Sequence, residues 1–285
     1  MKPTQSSAGA ADADASLRGP TVAGFSLLEV LIASMMSMLV VGGMLMMLDG
    51  LRDVHHDQQQ LIDAQMTARL ALEQMRRDVQ IAGIGLLGML SPLPVIGPRA
   101  DGGIDVRYNS DNLTARLSKN QGKGRHFEVA DVSGFEVGMV VAVYDGTGSF
   151  ELTTLDGINV GEGRLEYPDT LSKRYQVADG TAIKRVQTTT YRLETVNGVF
   201  WLQRQEDGGA AQPVALNVRS MTIRYYDNAN PPVVFTPLTL ADQLRISSIE
   251  VTLEIDTEDP RLGADQERTV SVTVRITPRS VVLTS

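Results

Sequence analysis

The run Gly24-Phe25-Ser26-Leu27-Leu28-Glu29-Val30-Leu31-Ile32, continued without another charge to Leu48, constrains this chain more than any other stretch. From Phe25 to Leu48 there are 24 residues, whereas a helix needs roughly 20 apolar residues to cross the hydrocarbon core of a bilayer. The segment is long enough to span. It holds one carboxylate, Glu29, whose burial in lipid costs on the order of 2 to 4 kcal/mol. A bare anchor has no use for such a charge. No basic residue lies within the segment, so the partner comes from another chain or from an α-amino group made by cutting just before Phe25.

Two ordinary readings of the N-terminus fit less well. A secretory signal has an apolar run of roughly 7 to 15 residues with a small-residue cleavage site after it. Here the run is longer and the candidate cut precedes it. A plain signal anchor accounts for the apolar length and leaves Glu29 unexplained. In residues 1–24, Lys2 and Arg18 stand against Asp12 and Asp14, so the charge bias across the span is weak.

The stretch Gly24-Phe25-Ser26-Leu27-Leu28-Glu29 resembles the processing site of type IV prepilins: a glycine before the cut, an aromatic residue after it, and a glutamate fifth in the mature chain. The resemblance implies cleavage between Gly24 and Phe25 by a membrane-embedded prepilin peptidase, N-methylation of Phe25, and pairing of Glu29 with the terminal amine of Phe25 on a neighbouring subunit. It also implies that residues 1–24 are a cytoplasmic leader.

Beyond the span the helical pattern continues. Between Asp49 and Ala82 there is no proline, and Leu61, Ala64, Ala68, Leu72, Met75, Val79 and Ala82 recur at spacings of three and four. Asp63, Thr67, Gln74, Arg77 and Asp78 fall among the polar positions. Residues 25–48 as a membrane part and 49–82 as an amphipathic part make one helix of about 58 residues, about 87 Å long. Gly42-Gly43 interrupts the apolar part, where each glycine costs roughly 1 kcal/mol relative to alanine. The pair reads either as a hinge or as a place of close helix packing.

The helix is expected to stop at Gly83-Ile84-Gly85, and Ser91-Pro92-Leu93-Pro94 with Gly97-Pro98 marks residues 83–103 as a linker. Gly83 to Gly88 also matches G-x-G-x-x-G. A dinucleotide fingerprint follows a strand and opens a helix, whereas this one closes a helix. From residue 104 to 285 the period becomes two. Ile249, Val251, Leu253 and Ile255 alternate with polar residues, as do Val270, Val272, Val274 and Ile276, so the two runs form an antiparallel hairpin across a polar loop. Further strands are expected at Met139–Tyr144, Phe150–Leu155, Ile183–Leu193, Val199–Arg204 and Val218–Tyr226. The fold class is α+β: a long N-terminal helix on an antiparallel β-rich head.

Tyr191-Arg192-Leu193, Phe200 to Arg204, Val218 to Tyr226 and the final hairpin are similar to the C-terminal half of PilW-type minor pilins and of PulJ- or GspJ-type pseudopilins. The segment Arg69 to Gly83 is similar to the end of the stalk helix in those proteins. An extra β module around Phe127-Glu128-Val129 and Phe135 to Gly138 favours the longer PilW type. The resemblance implies a minor pilin of the bacterial inner membrane, with its head in the periplasm, that primes or caps type IV pilus assembly and supports adhesion, twitching motility or DNA uptake. Its implied partners are the peptidase, other minor and major pilins, and the inner-membrane assembly platform. The alternatives are a minor pseudopilin of type II secretion and a membrane-anchored periplasmic binding module.

Catalytic patterns are sparse, and no enzyme is expected. His55, His56 and His126 lack metal-pair spacing, and neither H-E-x-x-H nor a P-loop occurs. With no cysteine, disulfides and thiolate sites are impossible. Asp256, Glu258, Asp259, Asp265 and Glu267 offer oxygens for calcium but without EF-hand spacing, so the expected cofactor is none. Arg116, Lys119, Lys123, Arg125 and His126 form the one basic patch. Against a net charge of −8 it reads as a solvated loop rather than a nucleic-acid surface.

Overall fold

A computed structural model of the chain describes residues 24, 26–86, 93–121, 124–168, 171–229, 231–237, 239–257 and 268–279. Helix α1 runs Leu27–Gln80 without a break. It starts where the carbonyl of Ser26 accepts from the N–H groups of Glu29 (2.9 Å) and Val30 (3.2 Å). It ends at Gly83 and Gly85, both at positive φ, which lets the chain turn back on the next strand. There Gly83 donates to the Arg107 carbonyl and Asn109 to the Ile84 carbonyl, at 2.8 and 2.7 Å. No larger residue fits at 85: a Cβ there would stand 2.0 Å from the Asn109 carbonyl oxygen.

The chain divides into two compact units, residues 1–55 and 56–285. In the first unit, every described side chain of α1 is exposed. The second unit opens its β structure with β1 (Ile96–Pro98), inside the stretch expected to be a linker, and β2 (Ile104–Tyr108). The chain then leaves this sheet for a module of short strands. They are β3 (Thr114–Arg116), β4 (His126–Glu128), β5 (Val140–Tyr144), β6 (Phe150–Thr154), β7 (Gly157–Asn159), β8 (Arg164–Glu166) and β9 (Ala182–Arg185). It returns with β10 (Gln187–Val196), β11 (Val199–Glu206) and β12 (Gln212–Leu216). The first sheet is ordered β1-β2-β10-β11-β12, so the module is an insertion between two hydrogen-bonded neighbours, β2 and β10.

The expected single strand Ile183–Leu193 is therefore two strands in two sheets, broken at Val186. The physical reason is packing. Val186 is buried with Leu86, Leu93 and Ala142, and its N–H goes to the Val140 carbonyl at 2.8 Å. The last sheet holds β13 (Val218–Tyr226), β14 (Val234–Phe235), β15 (Ser248–Asp256) and β16 (Thr269–Ile276), ordered β14-β13-β15-β16, with the short helix α2 (Leu240–Leu244) before β15. β15 and β16 pair antiparallel from Ile249↔Ile276 to Asp256↔Thr269. Their inward valines and isoleucines are the alternating residues of the sequence.

Besides the small cluster around Val186, two larger cores form among the described residues. Ala64, Ala68, Leu72, Met75 and Val79 of α1 pack with Ile104, Tyr191, Leu202, Ile249, Val251 and Leu253 of the first and last sheets. Each fully buried large apolar side chain contributes about 1.5 to 3 kcal/mol. The inserted module has its own cluster around Phe127, Val141, Val143, Leu165, Tyr175 and Ile183, with Phe127 stacked on Tyr167 at 4.5 Å between ring centroids.

Candidate functional site

At the start of α1, Gly24 is exposed and outside the helix, whereas Phe25 lies outside the described residues. Ser26 occupies the N-cap: its hydroxyl accepts from the Leu28 N–H at 3.3 Å. Glu29 is therefore the N3 residue of an S-x-x-E pattern, a local role that the apolar surroundings obscure in the sequence. Its carboxylate is exposed among Leu27, Leu28, Val30 and Leu31 and has no side-chain partner among the described residues. Gly42 and Gly43 sit inside the unbroken helix, with nothing within 4 Å of where a Cβ would stand.

Among the described residues, one helix is long and apolar enough to cross a membrane, and it is α1. Apolar exposure does not stop with that part. Ile62, Met66 and Leu70 are 59%, 61% and 65% exposed and recur every fourth residue, away from the buried Ala64, Ala68 and Leu72. They form a stripe on the face of α1 that the head leaves uncovered.

The other face of α1 carries a buried polar clamp. Asp78, which helical periodicity sorts among the polar positions, is buried instead and points at the first sheet. Its Oδ2 accepts from the Tyr191 hydroxyl and from Arg204 Nε, each at 2.6 Å. Arg204 also bonds Glu206, so the guanidinium is held on two sides. Burial pushes the Tyr191 phenol well above its ordinary value, and the Asp78 carboxylate adds to that shift. One signal in the sequence points to this clamp: Asp78 stands three residues after Met75 and four before Ala82, both members of the buried apolar stripe.

The remaining candidates disperse. His56 Nε2 lies 2.9 Å from Gln60 Nε2, one turn along the helix. In the basic patch Lys119 pairs with Glu128 at 2.6 Å, a carboxylate that Arg164 also bonds at 3.3 Å, and Arg125 donates to the Pro168 carbonyl. Lys123 lies outside the described residues. So do Glu258, Asp259, Asp265 and Glu267 of the calcium candidate; Asp256 ends β15, accepting from the Thr269 hydroxyl at 2.8 Å and lying 3.7 Å from Arg219. Among the described residues no group of three His, Asp or Glu side chains is arranged for a metal ion. A hollow of about 660 Å³ separates residues 60–67 of α1 from β12, with Asp63 and Asp256 on its walls and no nucleophile–base pair.

Fold and site together define an α+β chain with a long apolar N-terminal helix and an antiparallel β-rich body. Comparison with known protein families, with curated proteins and with solved structures finds no match for this chain.

Proposed function

We propose that the chain is a prepilin-type subunit of the PilW kind, cut between Gly24 and Phe25, methylated on Phe25, held in the bacterial inner membrane by α1, and assembled through that helix into a type IV pilus as a minor component. A pseudopilus of type II secretion is the same machine put to another use. The observation that carries the proposal is the uncovered stripe Ile62, Met66 and Leu70, which belongs to the same helix as the apolar residues 27–48 but lies beyond the length a bilayer covers. A helix that only anchored a head in the membrane would be polar on that face. A helix that packs among other helices after extraction needs apolar contacts along its whole length.

Glu29 fits the same scheme, because its charge lacks a partner among the described residues of its own chain and a neighbouring Phe25 amine would supply one. The N-cap geometry favours a second reading, in which Glu29 merely complements the helix start of a membrane-anchored module. Glu29→Gln separates the two. Glutamine keeps the N3 hydrogen-bonding pattern and removes the charge, so the proposal expects normal cleavage with strongly reduced recovery in sheared filaments. Recovery equal to that of the native chain would sink the pairing role.

A further inference from the structure

The sheet β3-β9-β5-β6 of the inserted module has a hollow on its outer face, away from the helix on which the proposed function rests. Strand register sets Thr114 opposite Lys184 and places Ala182 between Arg116 and Tyr144. These side chains share one face, because Ala115, Ile183, Val141 and Val143 of the same strands point into the module core. Ala182 is the floor. Its methyl group is short, so Arg116 on one side and Tyr144 on the other stand above it and leave about 490 Å³, bordered also by Asn112 and Gly146. That volume is within the roughly 300 to 1,000 Å³ of small-molecule sites.

Two cationic side chains, Arg116 and Lys184, border the hollow. Lys184 is buried on its wall, donating to the Gly85 carbonyl at 2.9 Å, with its ammonium 5.8 Å from the Tyr144 ring centroid. Arg116 is exposed and has no carboxylate partner among the described residues, and its charge acts on the Tyr144 phenol across the floor. One acid borders the site, Asp145. It is buried and committed to Lys173, to the Thr147 hydroxyl (2.7 Å) and to the N–H groups of Thr147 (3.0 Å) and Ser149 (3.1 Å).

We propose that this hollow binds a carboxylated sugar of the uronic-acid class. The carboxylate sits between the Arg116 guanidinium and the Lys184 ammonium, where charge-assisted hydrogen bonds are strongest. The sugar ring lies on the Ala182 floor against Tyr144, and its hydroxyl groups meet Thr114 and Asn112. The inserted module thereby gives the head a ligand of its own, whatever filament the helix serves.

The test is calorimetric titration of the full chain in detergent micelles with D-glucuronate, D-glucose and N-acetyl-L-glutamate. Glucuronate is expected to bind saturably and about tenfold or more tighter than glucose, as one charge-assisted contact implies. N-acetylglutamate is expected to bind more weakly than glucuronate. Arg116→Ala, on an exposed position, should weaken glucuronate about tenfold with the melting temperature unchanged. Ala182→Leu should remove binding by filling the floor while every charge stays. No saturable glucuronate binding, equal binding of glucose, or an unaffected Arg116→Ala variant would overturn the site. Equal binding of N-acetylglutamate would overturn the sugar assignment.

Discussion

Asp78→Ala removes the acceptor that joins α1 to β10 and β11, and its cost can be worked from the hydrogen bonds it breaks. Tyr191 is fully buried, so its hydroxyl loses its acceptor, Asp78 Oδ2 at 2.6 Å, and becomes an unsatisfied group costing about 1 to 3 kcal/mol. Breaking a buried ion pair by deleting one partner costs about 3 to 5 kcal/mol when the other charge is stranded. Arg204 keeps Glu206, so the lower end applies. The expected loss is about 3 kcal/mol, against about 1 kcal/mol for Tyr191→Phe, which deletes the donor and leaves Asp78 with Arg204. The double variant should lose less than the sum by about 1 kcal/mol or more, because no orphan hydroxyl remains. Trp201 is the single tryptophan of the chain and lies in β11 three residues before Arg204, so urea unfolding followed by its fluorescence reports this sheet. An Asp78→Ala variant within about 0.5 kcal/mol of the native chain would refute the reasoning, since only a solvated carboxylate is lost so cheaply.

Acid should expose the role of Asp145: burial opposes its charge, but Lys173, Thr147 and two backbone N–H groups outweigh it and hold the carboxyl at about 2, below the ordinary 3.8. A depressed folded value stabilises the fold above the unfolded value and loses that contribution as pH falls through the folded one, so about 2 kcal/mol should vanish between about pH 4 and pH 2. Asp145→Asn should flatten this window in pH-dependent unfolding, and an unchanged slope would contradict the assignment. Gly85→Ala meets the Asn109 carbonyl and a left-handed φ of +71°, and should cost about 2 kcal/mol or more, read as a lowered melting temperature. Replacing Gly42 and Gly43 with alanine should leave membrane insertion intact, because the helix is unbroken there and the space is open. Loss of the chain from the membrane fraction would contradict that expectation.

The parts of the fold legible in the sequence are those with long, regular periodicity. The stripe from Leu61 to Ala82 and the alternation in β15 and β16 each place many apolar residues on one side, so no single exception blurs them. Within the inserted module β5 and β6 are legible, at the expected strands Met139–Tyr144 and Phe150–Leu155, whereas strands of three residues such as β3, β4, β7 and β8 are too short to show a period. Ile183–Leu193 reads as one strand since its apolar and β-branched residues run on through Val186; the switch of sheets depends on Leu86 and Leu93, far away in the chain. Asp78 escapes a helical wheel, which sorts by polarity, whereas Tyr191 and Arg204 turn a polar residue inward. Gly24 and Glu29 stand out as local chemistry, yet the N-cap role of Ser26 is hidden by the apolar residues that follow it. The stripe of Ile62, Met66 and Leu70 is not legible in the sequence, where the stronger period from Leu61 to Ala82 makes the positions off that face look polar; it stands out once the buried face is known.

If Glu29 follows a cut that creates its partner, the mature N-terminus must carry the mark of that cut. Mass spectrometry of the N-terminal peptide, from the chain extracted out of its native membrane, tests this most directly. The expected chain begins at Phe25 and carries a methyl group on that amine; a chain that keeps residues before Gly24, or begins at any other position, would contradict it.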